Sequence, residues 1–165
     1  MIRALLIASI LLLTACASRA PLPVSVPDLQ LPMQLHVQRQ QADQRQDWLL
    51  VIQQEAKGLR WSLMDPLGIP LARQQLIEGQ WQADGLLPPN AEARELFAAL
   101  LFALTPDSEL NRNYPTAQRR GTQRIFDERW GVEYSSADTF RLIVLTGKND
   151  RINYGISPLN SEAVQ

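Results

Sequence analysis

Between Met33 and Ile156, apolar side chains recur at every second position in short runs. That period leaves few folds open. Met33, Leu35 and Val37 alternate with Gln34, His36 and Gln38. Trp48, Leu50 and Ile52 share one parity, and Leu49 and Val51 the other. Leu59, Trp61 and Leu63 alternate with Arg60 and Ser62, and Leu71 and Arg73 close a run that starts near Ile69. Trp81 marks a short, weak strand. Later, Phe126, Trp130, Val132 and Tyr134 share a parity, as do Phe140, Leu142 and Val144, then Ile152, Tyr154 and Ile156. Successive side chains of a strand point to opposite faces, so each run reads as a strand with one buried face. Turn signals at Lys57-Gly58, Asp65–Gly68, Asp84-Gly85 and Gly147–Asp150 separate the runs. The strands follow one another too closely for helical crossovers, which predicts an antiparallel sheet.

One segment departs from the alternation. Asn90 follows Pro88-Pro89 and suits a helix N-cap, with Glu92 and Glu95 in or near the first turn. Leu96–Leu104 is almost wholly apolar, and Thr105-Pro106 ends it. Ala93, Leu96, Phe97, Leu100, Leu101 and Leu104 form a wide stripe, yet Ala98, Ala99, Phe102 and Ala103 occupy the opposite side. A helix apolar all round is covered on both sides or faces something other than water. It reads either as a core helix beneath a loop or as a lid whose second face meets a hydrophobic ligand.

The N-terminus states where the chain goes. Arg3 precedes the apolar run Ala4–Leu13, which is about half the length that spans a hydrocarbon core of roughly 30 Å. That reads as a signal-peptide core, not a membrane anchor. Leu13-Thr14-Ala15-Cys16 then resembles the lipobox of bacterial lipoproteins. The resemblance implies cleavage before Cys16, a diacylglyceryl group on its sulfur and acylation of the new amine. Several acyl chains anchor firmly at ~0.8 kcal/mol per buried methylene. Ala17 after the cysteine, in place of Asp, implies sorting to the inner leaflet of a Gram-negative outer membrane. The expected organisation is a signal peptide over residues 1–15, a lipidated Pro-rich segment over 16–32, and one domain over 33–165. Pro21, Pro23, Pro27 and Pro32 exclude a helix from the second part. It is expected to be a stand-off tether, the other reading being an edge segment packed along the domain.

The chemical inventory is thin. One cysteine and one histidine exclude a multi-Cys or multi-His zinc site and any internal disulfide. With 16 basic against 17 acidic residues, nothing favours nucleic acid as a partner. No Gly-x-Ser-x-Gly elbow or phosphate-binding glycine loop occurs. His36 shares parity with Gln34 and Gln38, which puts it on a polar face rather than in a triad. The carboxylate pairs Asp107/Glu109 and Asp127/Glu128 sit among polar residues and read as solvated. Arg119, Arg120 and Arg124 form a basic cluster beside Gly121, read as a solvated loop or as a contact for anionic headgroups or an acidic partner. The chain is therefore not expected to be an enzyme or to carry a cofactor or metal.

The stretch Trp48–Gly68, two alternating runs ending in Asp65-Pro66-Leu67-Gly68, resembles the hairpin of the LolA/LolB family, in which LolB members end it with Asn-Pro-Leu-Gly. Asp65 replaces that Asn. Phe140–Ile156 is similar to the family's C-terminal hairpin, and the whole also resembles LolB-like lipoproteins encoded beside aryl-polyene lipid biosynthesis genes. The resemblance implies a mainly β, α+β fold: an incomplete antiparallel β-barrel closed by helices around a cavity for acyl chains. It also implies that Leu67 projects from its turn and assists delivery to the membrane. The residues alone leave open that Leu67 packs on Ile69 and Leu71. The expected cavity lining is Trp48, Leu50, Trp61, Leu63, Phe97, Leu101, Trp130 and Leu142. The implied function is a lipid-anchored receptor for a lipoprotein or polyene-type lipid, with a periplasmic LolA-like carrier as donor. The reading from another class is a structural or assembly lipoprotein docking on a protein partner.

Overall fold

The structure is a computed structural model describing residues 20–147 and 150–159. The expected signal peptide and Cys16 lie outside the described residues. The strands are β1 (Met33–Gln41), β2 (Gln44–Glu55), β3 (Gly58–Met64), β4 (Pro70–Ile77) and β5 (Gln80–Ala83). Two helices follow, α1 (Ala91–Leu104) and α2 (Asp107–Asn113). Then come β6 (Gln118–Arg120), β7 (Gln123–Phe126), β8 (Trp130–Tyr134), β9 (Phe140–Leu145) and β10 (Arg151–Pro158). All ten form one antiparallel sheet in the order β5-β4-β3-β2-β1-β10-β9-β8-β7-β6. Among the described residues, only β1 with β10 pair strands distant in sequence, and β5 and β6 are the edges.

The sheet curves around α1. Strands β3 and β8 are five steps apart, about 24 Å in a flat sheet. Yet the ring of Phe97 lies 5.4 Å from that of Trp61 on β3, and that of Phe102 5.8 Å from that of Trp130 on β8. Five residues apart, Phe97 and Phe102 project about 140° apart around the helix. One helix can touch both strands only if the sheet wraps it as an open half-barrel. The alternation read from the sequence thus marks the inward face. Val37, Leu50, Ile52, Trp61, Val132, Leu142 and Ile156 are buried, while Gln38, Gln53, Arg60 and Arg141 face outward or are only partly covered.

Helix α1 fills the interior. Every residue from Leu96 to Phe102 is buried without exposure. Its N-cap is the expected one, with Asn90 Oδ1 accepting from Ala93 N at 3.0 Å. Two arginines, Arg39 of β1 and Arg129 of the β7–β8 turn, hold the first turns. Arg39 Nε donates to Glu92 at 2.5 Å, and Arg129 donates from both Nε and Nη2 to Glu95 at 2.7 and 2.6 Å. These hydrogen bonds raise both guanidinium pKa values above the ordinary one. Tyr154 Oη and Trp130 Nε1 donate to the same two carboxylates.

Several expectations need correction. The strand expected from Ile69 to Arg73 runs instead from Pro70 to Ile77, with a register shift opposite Leu63/Met64. Asp84-Gly85 ends β5 as expected, with Gly85 at a φ of 92°, but leads toward α1 and not into another strand. Phe126 and Trp130 share a face but belong to two strands, joined through Asp127 at a φ of 49°. Helix α2 and strand β6 were not expected. The segment expected to stand off as a tether is docked from Ala20 onward. Val24 N donates to Asn113 O, Ser25 N to Asn113 Oδ1 and Asp28 N to Glu109 Oε1. Pro27 and Leu29 are buried.

Candidate functional site

A groove of about 1130 Å³ opens at one end of the half-barrel. The antiparallel order decides what meets there: the start of β1, the end of β10, and the β6–β7 and β8–β9 turns. Helix α1 runs toward it, so Ala103, Leu104 and Thr105 form its floor. Leu29, Pro32 and Met33 supply one wall, and Tyr134 and Ser135 another. The rim is polar, with Asp28, Asp107, Arg119 and Asp138 around it. A concave, partly apolar opening with a few polar groups, slightly above the ~300–1,000 Å³ of ordinary ligand pockets, is what a small amphiphile needs.

One side chain builds the floor. The last carbonyls of a helix lack internal partners and carry the negative end of its dipole. Helix α1 has no basic residue in its own last turn. Arg124 of β7, 6% exposed, supplies the charge from across the groove. Its Nη1 donates to the carbonyls of Phe102, Ala103 and Thr105 at 3.3, 3.3 and 2.6 Å, and Nη2 to Asp107 at 2.7 Å. The guanidinium carbon also lies 5.2 Å from the centre of the Tyr134 ring. Tyr134 Oη donates to Ala103 O at 2.6 Å. Burial pushes that phenol up to about 12, against the opposing pull of Arg124 and Arg119, so it stays a donor at neutral pH. Thr105 Oγ1 donates to Leu101 O and closes the last turn.

The cluster expected as a solvated loop is therefore divided. Arg119 is half-exposed and pairs with Asp107 at 2.8 Å, Arg120 is exposed, and Arg124 is buried. Asp107, expected to be solvated, joins two of these arginines. No local pattern distinguishes Arg124 from its neighbours except parity with Phe126, the inward residue of β7.

The eight expected lining residues lie elsewhere. Trp48, Leu50, Trp61, Leu63, Trp130 and Leu142 are on the inward face of the sheet, and Phe97 and Leu101 on the helix that packs against it. Apart from half-buried Trp48, all are at most 1% exposed. None of them lines the groove.

Leu67 is at the opposite end, on the β3–β4 turn, and 84% exposed, so it does not pack on Ile69 and Leu71. Asp65 fixes the turn: its Oδ1 accepts from Leu67 N at 2.9 Å and Ile69 N at 2.8 Å, and its carbonyl from Gly68 N at 3.0 Å. Gly68 takes a φ of 80°, which a side chain would strain. His36 bonds Asp47 at 2.9 Å on the outward face. Among the described residues, no three His, Cys, Asp or Glu side chains gather where they could hold a metal ion. No described helix is long and apolar enough to cross a membrane.

A protein family described as "Protein of unknown function (DUF3261)" matches residues 30–157. No curated protein matches the chain. The match begins within the docked segment and ends one residue before β10 does, so it covers both helices and all of the sheet but that last residue.

Proposed function

The chain belongs to the DUF3261 family, and from that footing we propose that it is a LolB-like, lipid-anchored receptor that takes acyl chains at the groove. Cys16 holds it to the periplasmic face of a Gram-negative outer membrane. The cargo is a lipoprotein or a polyene-type lipid, arriving from a periplasmic LolA-like carrier. Leu67 meets the cargo's acyl chain during transfer. No catalytic step is involved. The observation that carries this reading is the groove, which joins an apolar floor at Leu104 to a polar rim. Two others support it: the lipobox, and the exposure of Leu67 on a turn locked by Asp65. Asp65 in place of Asn does not weaken the likeness, because the turn uses only a side-chain oxygen as acceptor.

The filled interior favours a second reading, a non-catalytic assembly lipoprotein that docks on a protein partner. One experiment separates the two. A chain starting after Cys16 is expected to bind a fluorescent fatty acid with micromolar affinity, about -8 kcal/mol. Leu104→Glu places a charge in the groove floor and is expected to weaken binding at least tenfold. Absence of probe binding, together with native mass spectra free of co-purified acyl ligand, decides for the docking module.

A further inference from the structure

The docked N-terminal segment says which end of the molecule meets the membrane. Cys16 and Ala20 are separated by four residue steps, which reach at most about 14 Å when fully extended. From Ala20 on, the chain belongs to the domain. Ala20 and Leu22 pack against the core, and the bonds to Asn113 and Glu109 continue the attachment. Residues 22–26 line a cleft of about 260 Å³ against Leu76, Glu78 and Gly79, at the β4–β5 turn. A free segment of residues 16–32 would reach more than 50 Å and leave orientation open. The docked one does not.

The strand register places the other features. The β4–β5 turn, the start of β1 and the end of β10 share one end of the half-barrel, so the strap and the groove mouth are together. The β3–β4 turn that carries Leu67 is at the far end of β4, an eight-residue strand about 25 Å long. On the strap itself, Val24 and Val26 are exposed at 75% and 48%. They are apolar side chains a few residues from the acylated cysteine.

We propose that the strap end is the bilayer-facing end: Val24 and Val26 seat in the headgroup boundary, the groove opens toward the membrane, and the Leu67 turn faces the periplasm. This rests on the lipid-anchored reading above. It gives the two ends separate tasks, with cargo received at Leu67 and exchanged with the bilayer at the groove.

The test uses the full-length lipoprotein in phospholipid vesicles. Acylation consumes the Cys16 thiol, so an added cysteine is the sole labelling site. Val24→Cys, Leu67→Cys and Asp43→Cys, all exposed, each receive an environment-sensitive fluorophore. Lipid carrying a nitroxide on its headgroup is the quencher. Quenching at Val24 several-fold above that at Leu67 and Asp43 is expected. Equal quenching, or more at Leu67 than at Val24, overturns the orientation. Mass spectrometry of the same samples separates the two failures. Acylated Cys16 with no quenching at Val24 defeats the orientation alone, whereas unmodified Cys16 defeats the anchor and the orientation with it.

Discussion

Arg124→Met removes the charge beneath the groove while keeping an apolar stem of similar length. The guanidinium serves three carbonyls at the end of α1 and one carboxylate. Breaking a buried pair by removing one partner costs about 3–5 kcal/mol. Two features set the value near the lower limit. The bonds to Phe102 and Ala103 are long, at 3.3 Å, and Asp107 keeps Arg119. In addition, Arg124 Nε is buried without a hydrogen-bond partner, a cost the substitution relieves. The expected loss is therefore about 3 kcal/mol, or a melting temperature lower by roughly 9 °C in a domain of this size. Arg119→Met is the control. Its side chain is 56% exposed, and an exposed pair contributes less than about 1 kcal/mol. Urea denaturation of both variants and of Asp107→Asn, with the Arg124/Asp107 double variant, gives the coupling energy. A loss below about 1 kcal/mol for Arg124→Met refutes the reasoning, since the end of α1 would then find other donors.

Leu67→Glu is expected to leave the melting temperature unchanged, because a fully solvated substitution shifts stability by less than about 0.5 kcal/mol, and to reduce transfer of lipidated cargo to liposomes. Intact transfer would remove Leu67 from the handling of cargo. The three tyrosines, all raised chiefly by burial, are expected to show no tyrosinate absorbance at pH 10.5 in the folded protein. Their folded pKa values lie above the unfolded ones, so their contribution is full below about pH 10 and is lost as pH rises through the folded values, with ionisation appearing only on unfolding. Asp47 has the opposite sign: its hydrogen bond with His36 holds the carboxyl below the ordinary 3.8, so that small contribution persists above this value and fades as pH falls through the folded one. His36→Leu is expected to return the Asp47 titration, read by carboxyl NMR, toward 3.8. Gly58→Ala is expected to destabilise clearly in the same urea assay, because a Cβ there collides with the carbonyl oxygen of Leu76.

What the sequence made legible was local, and what it hid was long-range. The alternation identified the inward face because the strand period is a property of the backbone, as Leu50/Ile52 and Leu142/Val144 illustrate. The cap at Asn90 was legible for the same reason. Helix α2 is seven mostly polar residues, and what secures it is distant: Leu110 in the core, and Asn113 accepting from Val24 and Ser25. Strand β6 is three exposed residues without alternation, held by pairing with β7 and by the Arg119–Asp107 ion pair. The docked strap was legible only as something that is not helical, since prolines exclude a helix without saying what the extended chain lies on. Arg124 was visible as a charge, but its partners are at the end of α1 and the start of α2, about twenty residues earlier in the chain.

The same distinction bears on where an acyl chain can go. The sequence showed a helix apolar on every side and offered two covers for its second face. The curvature of the sheet supplies that cover, with strands around both flanks of α1. Leu96, Phe97, Leu100, Leu101 and Phe102 are all fully buried, each contributing about 1.5–3 kcal/mol. Removing α1 from the interior therefore costs about 8–15 kcal/mol before its ion pairs are counted, which is the order of the whole stability of a domain. A ligand of micromolar affinity has about 8 kcal/mol, net of what its own chain spends on becoming ordered. It cannot displace the helix and still leave a net affinity. Trp61, Leu142 and the rest of the inward set thus hold the fold, and the proposed binding falls to the end of α1, where Ala103 and Leu104 emerge from the core and Arg124 keeps the final carbonyls satisfied.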